Sequence, residues 1–403
     1  MFWSIKVYAW EQRKLGEIAE FSKGQGYSKS DLKEDGIPII LYGRLYTKYE
    51  SVISEVDTFV VEQKNSVFSN GNEVIVPASG ETAEDISRAS VVENAGIILG
   101  GDLNIIKPNS EVSSTFLAIT ISNGTQQKEL SEKAQGKSVV HIHNSDLKEV
   151  LLSYPEASEQ ISIGNFFRTL DDLITLHKRK LEGLKELKKG YLQQMFPQVG
   201  ESVPQVWFAE FTDSWKERKL GEIGRLQSGI GFPNLEQGGI EGVPFFKISD
   251  MNNDGNEHEM VSANNYVNNE QLQRKEWKPI SEVPAIIFAK VGAAIMLNRK
   301  RIVRTPFLID NNIMVYIFDN SWNLDFGKTL FETIDLPRFA QIGALPSYNV
   351  SDIEKIDVII PALHEQIAIG KFFRSLDEQI TIQQQKLDKL KRLKSAYLQK
   401  MFI

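Results

Sequence analysis

PEASEQISIGNFFRTLDDLITLHKRKLEGLKELKKGYLQQMF, residues 155–196, returns as PALHEQIAIGKFFRSLDEQITIQQQKLDKLKRLKSAYLQKMF at residues 361–402, 206 positions later and without a gap. Self-similarity of this length marks a duplicated architecture. Apolar residues recur at spacings of three and four. The first copy passes through Phe167, Leu170, Ile174, Leu181, Leu184 and Tyr191, the second through Phe373, Leu376, Ile380, Leu387, Leu390 and Tyr397. Held over four heptads, this spacing predicts a long helix with a coiled-coil seam in each copy. Its polar breaks also match, His177 with Gln383 and Lys188 with Lys394. About 35 helical residues at about 1.5 Å each make a rod on the order of 50 Å long. Two equal copies predict an antiparallel pair, and Gly183 and Gly190 make the first helix the more dependent on a packing partner.

The repeat extends upstream. Trp10-Glu-Gln-Arg-Lys-Leu-Gly-Glu-Ile18 recurs as Trp215-Lys-Glu-Arg-Lys-Leu-Gly-Glu-Ile223, and Gly24-Gln-Gly26 as Gly229-Ile-Gly231. Ile37-Pro-Ile-Ile40 recurs as Val243-Pro-Phe-Phe246, and Ser145-Asp-Leu147 as Ser351-Asp-Ile353. Between these marks, roughly residues 45–130 and 252–335, the copies do not align. A shared frame with divergent interiors is what one scaffold carrying two specificities would show. Short β-branched or aromatic runs at 73–77, 95–99, 285–289 and 313–318 predict strands. The expected fold class is α+β, two mixed α/β domains in tandem pseudo-twofold repeat joined by two long helices. The expected organisation is a domain over 1–154, a helix over 155–196, a connector over 197–214, a second domain over 215–360 and a second helix over 361–403.

Composition sets the outer limits. The 403 residues, 41% hydrophobic and 25% charged, suit a globular protein of two or three domains. The absence of cysteine excludes disulfides, thiolate zinc sites and a cysteine nucleophile, and fits a reducing cytoplasm. No apolar run reaches the roughly 20 residues of a membrane helix, and the start has no apolar stretch of signal-peptide length. The expectation is a cytoplasmic protein without a membrane partner.

Catalytic signatures fail one by one. Gln135-Gly-Lys-Ser138 ends like a phosphate loop but has Ser131 where the earlier glycine belongs. Gly24-Gln-Gly26 and Gly229-Ile-Gly231 have Lys29 and Asn234 where a dinucleotide fingerprint needs its third glycine, and read as tight turns. No two prolines are adjacent, so the Pro-Pro-aromatic motif of amino-group DNA methyltransferases is absent. His141 and His143 alternate on one strand face without nearby carboxylates, which disfavours a metal site. Asp171-Asp172 and Asp377-Glu378 read as solvated helix faces.

The net charge of −7 counts against nucleic-acid binding by bulk charge, so any such role rests on local clusters. Asn298-Arg-Lys-Arg301 is one. Basic residues interleaved with Tyr27, Tyr42 and Tyr46 form another. Loop position and side-chain chemistry nominate Lys23, Gln25, Tyr27, Tyr42, Arg44, Lys137 and His141 as DNA contacts in the first half. In the second half they nominate Gln227, Lys247, Asp250, Asn252, Asn298, Arg299, Arg301 and Tyr348. Among these nominations, Tyr27 and Tyr42 are the two for which a place in the core weighs most.

Taken together, the Trp-x-x-Arg-Lys-Leu-Gly-Glu lead at Trp10 and Trp215, the Pro-x-x-x-Glu-Gln-Ile start at Pro155 and Pro361, and the Lys-x-x-Tyr-Leu-Gln-x-Met-Phe ending at Lys188 and Lys394 carry a resemblance. Twice in order over nearly the whole chain, they resemble the specificity subunit of type I restriction–modification systems. The resemblance implies a non-catalytic subunit. Each recognition domain would read half of a bipartite, asymmetric site in double-stranded DNA. The helices would set the spacer and dock two methyltransferase subunits that methylate an adenine in each half. Restriction subunits would join to translocate and cut DNA. It implies no cofactor on this chain, with S-adenosylmethionine, ATP and magnesium on the partners. Members enter the first domain through a Pro-x-x-Arg-Phe-like lead. The second half keeps a version at Val203-Pro-Gln-Val-Trp-Phe208, while the first begins directly at Met1. The alternatives are a self-sufficient DNA enzyme, which the missing motifs oppose, and a coiled-coil adaptor without sequence-specific DNA binding, which the acidity permits.

Overall fold

The computed structural model describes residues 10–134, 139–198, 200–341, 343 and 345–402. Four helices organise the chain: α1 (Ser114–Ile121), α2 (Ala157–Gln194), α3 (Leu324–Thr333) and α4 (Leu363–Met401). The chain folds as two compact units, one of Met1–Arg179 with Gln383–Ile403, the other of Lys180–Ile382. Each unit therefore holds one mixed α/β domain, the start of its own long helix and the end of the other. Residues 197–214 form neither helix nor strand where they are described.

In the first unit a five-stranded sheet runs in the order Ala19–Lys23, Leu103–Pro108, Glu73–Pro77, Ser90–Val92, Val52–Ile53. A second sheet orders Phe59–Val60, Ile37–Ile40, Ala95–Leu99, Phe68–Asn70. Glu73–Pro77 is buried throughout because both of its faces are covered. Alternation sends Val74 and Val76 into the core shared with α1 and Ile75 into the core against the second sheet. The second unit repeats this with fewer strands. One sheet orders Gly224–Ser228, Ile313–Phe318, Ala285–Ala289, Lys300–Val303, the other Tyr266–Val267, Val243–Phe246, Leu308–Ile309. All four strands expected from sequence are present. The interiors that do not align in sequence share one strand order. In both units the second sheet pairs a parallel neighbour on one side and an antiparallel one on the other.

The repeated motifs are the joints of this frame. Glu11–Lys14 pairs antiparallel with Leu151–Tyr154, and Lys216–Lys219 with Asp357–Ile360, so each leading strand is tied to the strand that feeds its helix. Gly24 and Gly229 press on backbone: an added Cβ would lie 1.9 Å from the Gly100 and Asp310 carbonyl oxygens. The glutamine of each Glu-Gln-Ile start is buried. Gln160 accepts from Ser113 N–H (2.9 Å) and donates to the Glu111 and Pro155 carbonyls. Gln366 accepts from Asn323 N–H (2.9 Å) and donates to the Ser321 and Pro361 carbonyls. Each side chain thus fastens a long helix to the start of α1 or α3. Gln160→Leu or Gln366→Leu leaves buried backbone groups unpaired, and a loss of about 1–3 kcal/mol is expected in urea denaturation.

Within each unit the helix segments run antiparallel. In the first unit Phe166 meets Tyr397 edge-on at 5.0 Å and His177 meets Gln383, Nδ1–H donating to Oε1 at 2.8 Å. In the second, Tyr191 meets Phe372 at 5.0 Å and Lys188 meets Asp377 at 2.7 Å. The expected seam is buried at Phe167, Leu170, Leu181, Phe373, Leu376, Ile380 and Leu387, and half-buried at Ile174, Leu184, Tyr191 and Leu390. Tyr397 is the exception. It lies exposed at the edge of the seam, against Phe166, while the next residue, Leu398, packs on the core.

One reading from sequence is corrected. Asp171 and Asp377 are not solvated faces. Asp377 holds Lys188 and Lys328, and Asp171 holds Lys394 and the Ser51 hydroxyl. They are the counter-charges that let a lysine occupy each seam. The Met-Phe ending of each helix completes a domain core. Phe402 sits among Trp10, Phe116 and Phe167 at 6.0–6.5 Å. Phe196 occupies the matching place among Trp215, Phe326 and Phe373 at 5.6–5.9 Å.

Candidate nucleic-acid interface

The register of the sheets gathers the nominated residues. In the first unit Lys23 pairs with Asn104 and Pro77 with Leu103, while Leu99 lies beside Ile40 in parallel. One end of both sheets therefore collects Lys23, Gln25, Tyr27, Tyr42 and Arg44. His141 joins them, since its short strand pairs with Ser79–Gly80 just beyond Pro77. The second unit does the same. Ser228 pairs with Met314, Phe288 with both Met314 and Lys300, and Phe246 lies beside Ile309. Gln227, Lys247, Asn298, Arg299 and Arg301 thus sit at or next to one end of the sheets. Arg299 Nη1 reaches Asn252 Oδ1 at 2.5 Å and brings that loop in.

Local packing separates surface groups from scaffold. Lys23, Gln25 and His141 are exposed, and Tyr42 is partly exposed against Tyr46. The Tyr27 hydroxyl is engaged with Ser66 Oγ (2.6 Å) and Gln63 N–H (2.8 Å), closing its loop at a left-handed φ of 62°. Lys137 lies outside the described residues. His141 and His143 stack at 6.4 Å, and no group of three or more His, Asp or Glu able to hold a metal occurs among the described residues.

Three nominations are corrected by burial. The Arg44 side chain is only 8% exposed and is locked between Glu50 (2.8 Å) and Asp57 (2.6 Å). Together Lys48 and Arg44 hold the Asp57 carboxyl down at about 2. Tyr348 is 2% exposed and belongs to the main core of the second unit. Asp250 is fully buried, accepting from Lys247 N–H (2.8 Å), and burial pushes its carboxyl up despite that bond. These three shape the loops from beneath. Asn298 also has a structural part. At φ 48° it ends a short helix, donates to the Ile334 carbonyl and accepts from Leu336 N–H, both at 3.2 Å.

The charge at this end of the second unit is distinctive. Lys247, Lys290, Arg299, Lys300 and Arg301 have no carboxylate partner within ion-pair distance among the described residues, in a chain of net charge −7. Lys247 and Lys290 donate to neutral oxygens of Gln237 and Ser228, both at 3.1 Å. Lys300 donates to the Ile334 carbonyl, and burial pulls its ammonium down to about 8 against the weaker pull of Asp335 and Glu332. Burial lowers the Arg301 guanidinium as well, and its Nε is buried without a partner. Sequence reasoning missed Lys290, because only the sheet register places it beside the 298–301 cluster.

A duplicated α/β frame, an antiparallel helix pair and a cation-rich sheet end define a tandem recognition-domain protein. The type I restriction modification DNA specificity domain matches residues 8–186 and again 212–392, and the chain belongs to that family. Relatives of similar length agree. The MjaIX specificity subunit of a type I restriction enzyme from Methanocaldococcus jannaschii is 24% identical, over 97% of this chain and 92% of that one. The MjaVIII specificity subunit of the same organism is 22% identical, over 96% and 91%. Among solved structures, the S subunit of a type I restriction–modification system from M. genitalium superposes with a TM-score of 0.67 at 16% identity, covering 100% of this chain and 98% of that one. A chain from a structure addressing complex assembly and conformational transition of the type I R-M system gives 0.54 at 15% identity, covering 97% and 96%. At these identities the superpositions speak for the fold. No helix among the described residues is long and apolar enough to cross a membrane.

Proposed function

We propose that this chain is the non-catalytic DNA-reading subunit of a type I restriction–modification complex, acting in the cytoplasm. The observation that carries the reading is the pairing of one strand order with two unalignable interiors, each presenting its loops at the same end of its sheets. Each domain reads one half of a bipartite, asymmetric site in double-stranded DNA. The helices set the spacer and seat two methyltransferase subunits. Those partners carry S-adenosylmethionine and methylate an adenine in each half-site, and restriction subunits with ATP and magnesium cut the DNA. Chemistry at the base is left to the partners, and this chain supplies position and choice of sequence. Phosphate contacts fix register without sequence information, and contacts to base edges choose the site.

The helices offer a surface for the methyltransferases. Leu176 and its repeat mate Ile382 are exposed, as are Leu187 and its mate Leu393. Large apolar side chains at matched exposed positions suit two identical partners bound in equivalent ways. Leu176→Glu and Ile382→Glu are each expected to remove one of two methyltransferase subunits, read as a drop in complex mass, with thermal melting of the chain unchanged.

Gel shifts with labelled S-adenosylmethionine test the role. The chain with its methyltransferase should bind and methylate a matching duplex, and the chain alone should transfer no methyl group. Transfer by the chain alone would contradict the proposal.

A further inference from the structure

The two units differ in what covers the segment just before the fourth strand of the larger sheet. In the first unit that segment is Ala83–Ile86, and Ile86 is fully buried beside the helix Gly124–Lys133. In the second unit it is Ala293–Leu297, and its neighbour is the single turn Leu336–Phe339. Met296 and Leu297 are left 65% and 57% exposed, side by side at a tip. The tip is not loose. Ile295 anchors it in the core, and Asn298 locks its end to residues 334 and 336. The next three residues are Arg299, Lys300 and Arg301, with Lys290 at the adjoining strand end. None of the four has a carboxylate within ion-pair distance among the described residues.

We infer that the Met296–Leu297 tip is an apolar wedge that enters a base step of double-stranded DNA, held over the groove by the cations at 290 and 299–301. This inference rests on the DNA-reading role above. Charge complementarity selects the occupant. Four clustered cations without an ion-pair partner among the described residues, two of them (Lys300 and Arg301) held partly buried, favour a polyanion, and two long apolar side chains set rigidly among them match the wedges with which proteins unstack base pairs. A contact to one thymine methyl would need a single small apolar group. Two adjacent side chains of this length reach further. The wedge belongs to the second unit alone, so the DNA is deformed in one half-site and not in the other. Sequence preference then arises there partly from the ease of unstacking, greatest at pyrimidine–purine steps.

The test uses the full chain with its methyltransferase subunits on duplexes carrying both mapped half-sites. The base analogue 2-aminopurine is placed at each step in turn, away from the methylated adenines. A fluorescence rise at one step of one half-site is expected. The double variant Met296→Ala, Leu297→Ala should abolish it and weaken binding about tenfold or more, the scale of a lost base contact, while melting like the parent. The exchange variant Met296→Leu, Leu297→Met should keep both signals. Binding without any fluorescence rise overturns the wedge and leaves DNA reading intact. A thymine-to-uracil change that weakens binding as much as the double variant overturns it in favour of methyl contact. Loss of methyltransferase subunits from the double variant overturns it in favour of a protein interface. Failure of the parent complex to bind any mapped site overturns both readings.

Discussion

Phe402→Ala is expected to destabilise the first unit by about 3–5 kcal/mol, the range for deleting a buried aromatic ring. The ring is almost wholly buried among Trp10, Phe116 and Phe167. Truncation removes its transfer energy and opens a cavity that the surrounding aromatics cannot collapse to fill. The Gly124 position shows how close the packing is, since an added Cβ there would overlap the Phe402 carbonyl. Phe196→Ala should cost the second unit a similar amount through Trp215, Phe326 and Phe373. Because each domain core is completed by the end of the other long helix, the loss appears far in sequence from the core it damages. Hydrogen exchange would show it. Phe402→Ala should expose amides of Ser114–Ile121 and spare Leu324–Thr333, and Phe196→Ala should do the reverse. Equal exposure of both in either variant would refute the shared-core arrangement.

Lys188→Met is expected to cost about 3 kcal/mol, at the lower end for breaking a buried ion pair by removing one partner. Its ammonium lies 2.5 Å from Glu332 and 2.7 Å from Asp377, and the side chain is 11% exposed. Burial alone would lower the Lys188 ammonium. The two carboxylates outweigh burial and hold it above its usual value. Asp377 is the mirror case: burial would raise its carboxyl, but Lys328 and Lys188 hold it below 3.8. The signs of the linkage follow. Asp377 contributes stability above its unfolded value near 3.8, lost as pH falls through the depressed folded value. Lys188 contributes stability below 10.5, lost as pH rises through its elevated folded value. In Lys188→Met only Lys328 remains, so Asp377 should titrate higher and acid unfolding should begin at higher pH. Urea denaturation across pH 3–7 checks this about the 3.8 reference. Lys394→Met in the first unit should cost less, since that lysine is more exposed and meets Asp171 alone.

The frame was legible because its signals are periodic or repeated. The three-four spacing outlined both helices to within about two residues at each end, and the repeated motif at Trp10 and Trp215 proved to open on equivalent strands. The seam lysines were visible as breaks, but their partners were not. Asp171 and Asp377 lie on the same helices at positions that look solvent-facing until the opposing helix end is placed. The end that carries the nominated contacts was legible in part. Composition singled out Arg299 and Arg301, and the fold keeps them near the surface. It could not tell Arg44, clamped by two acids, from a free arginine, nor Tyr348, sealed in the core, from a loop tyrosine. Those distinctions depend on contacts between distant segments that no local pattern encodes. Lys290 and the exposed Met296–Leu297 tip were invisible for the same reason.

In the proposed role, two readers in one chain each select half of a site while the helices set the gap. Mapping methylated adenines across a genome tests it most directly. The host would carry this chain with its methyltransferase, either unaltered or with one helical turn added to both long helices. The expected result is a bipartite asymmetric motif with an adenine methylated in each half. The lengthened chain should keep both halves and widen the spacer by about two base pairs, since four helical residues span about 6 Å against 3.4 Å per base pair. A single continuous motif, or half-site sequences that change when only the helices are lengthened, would contradict it.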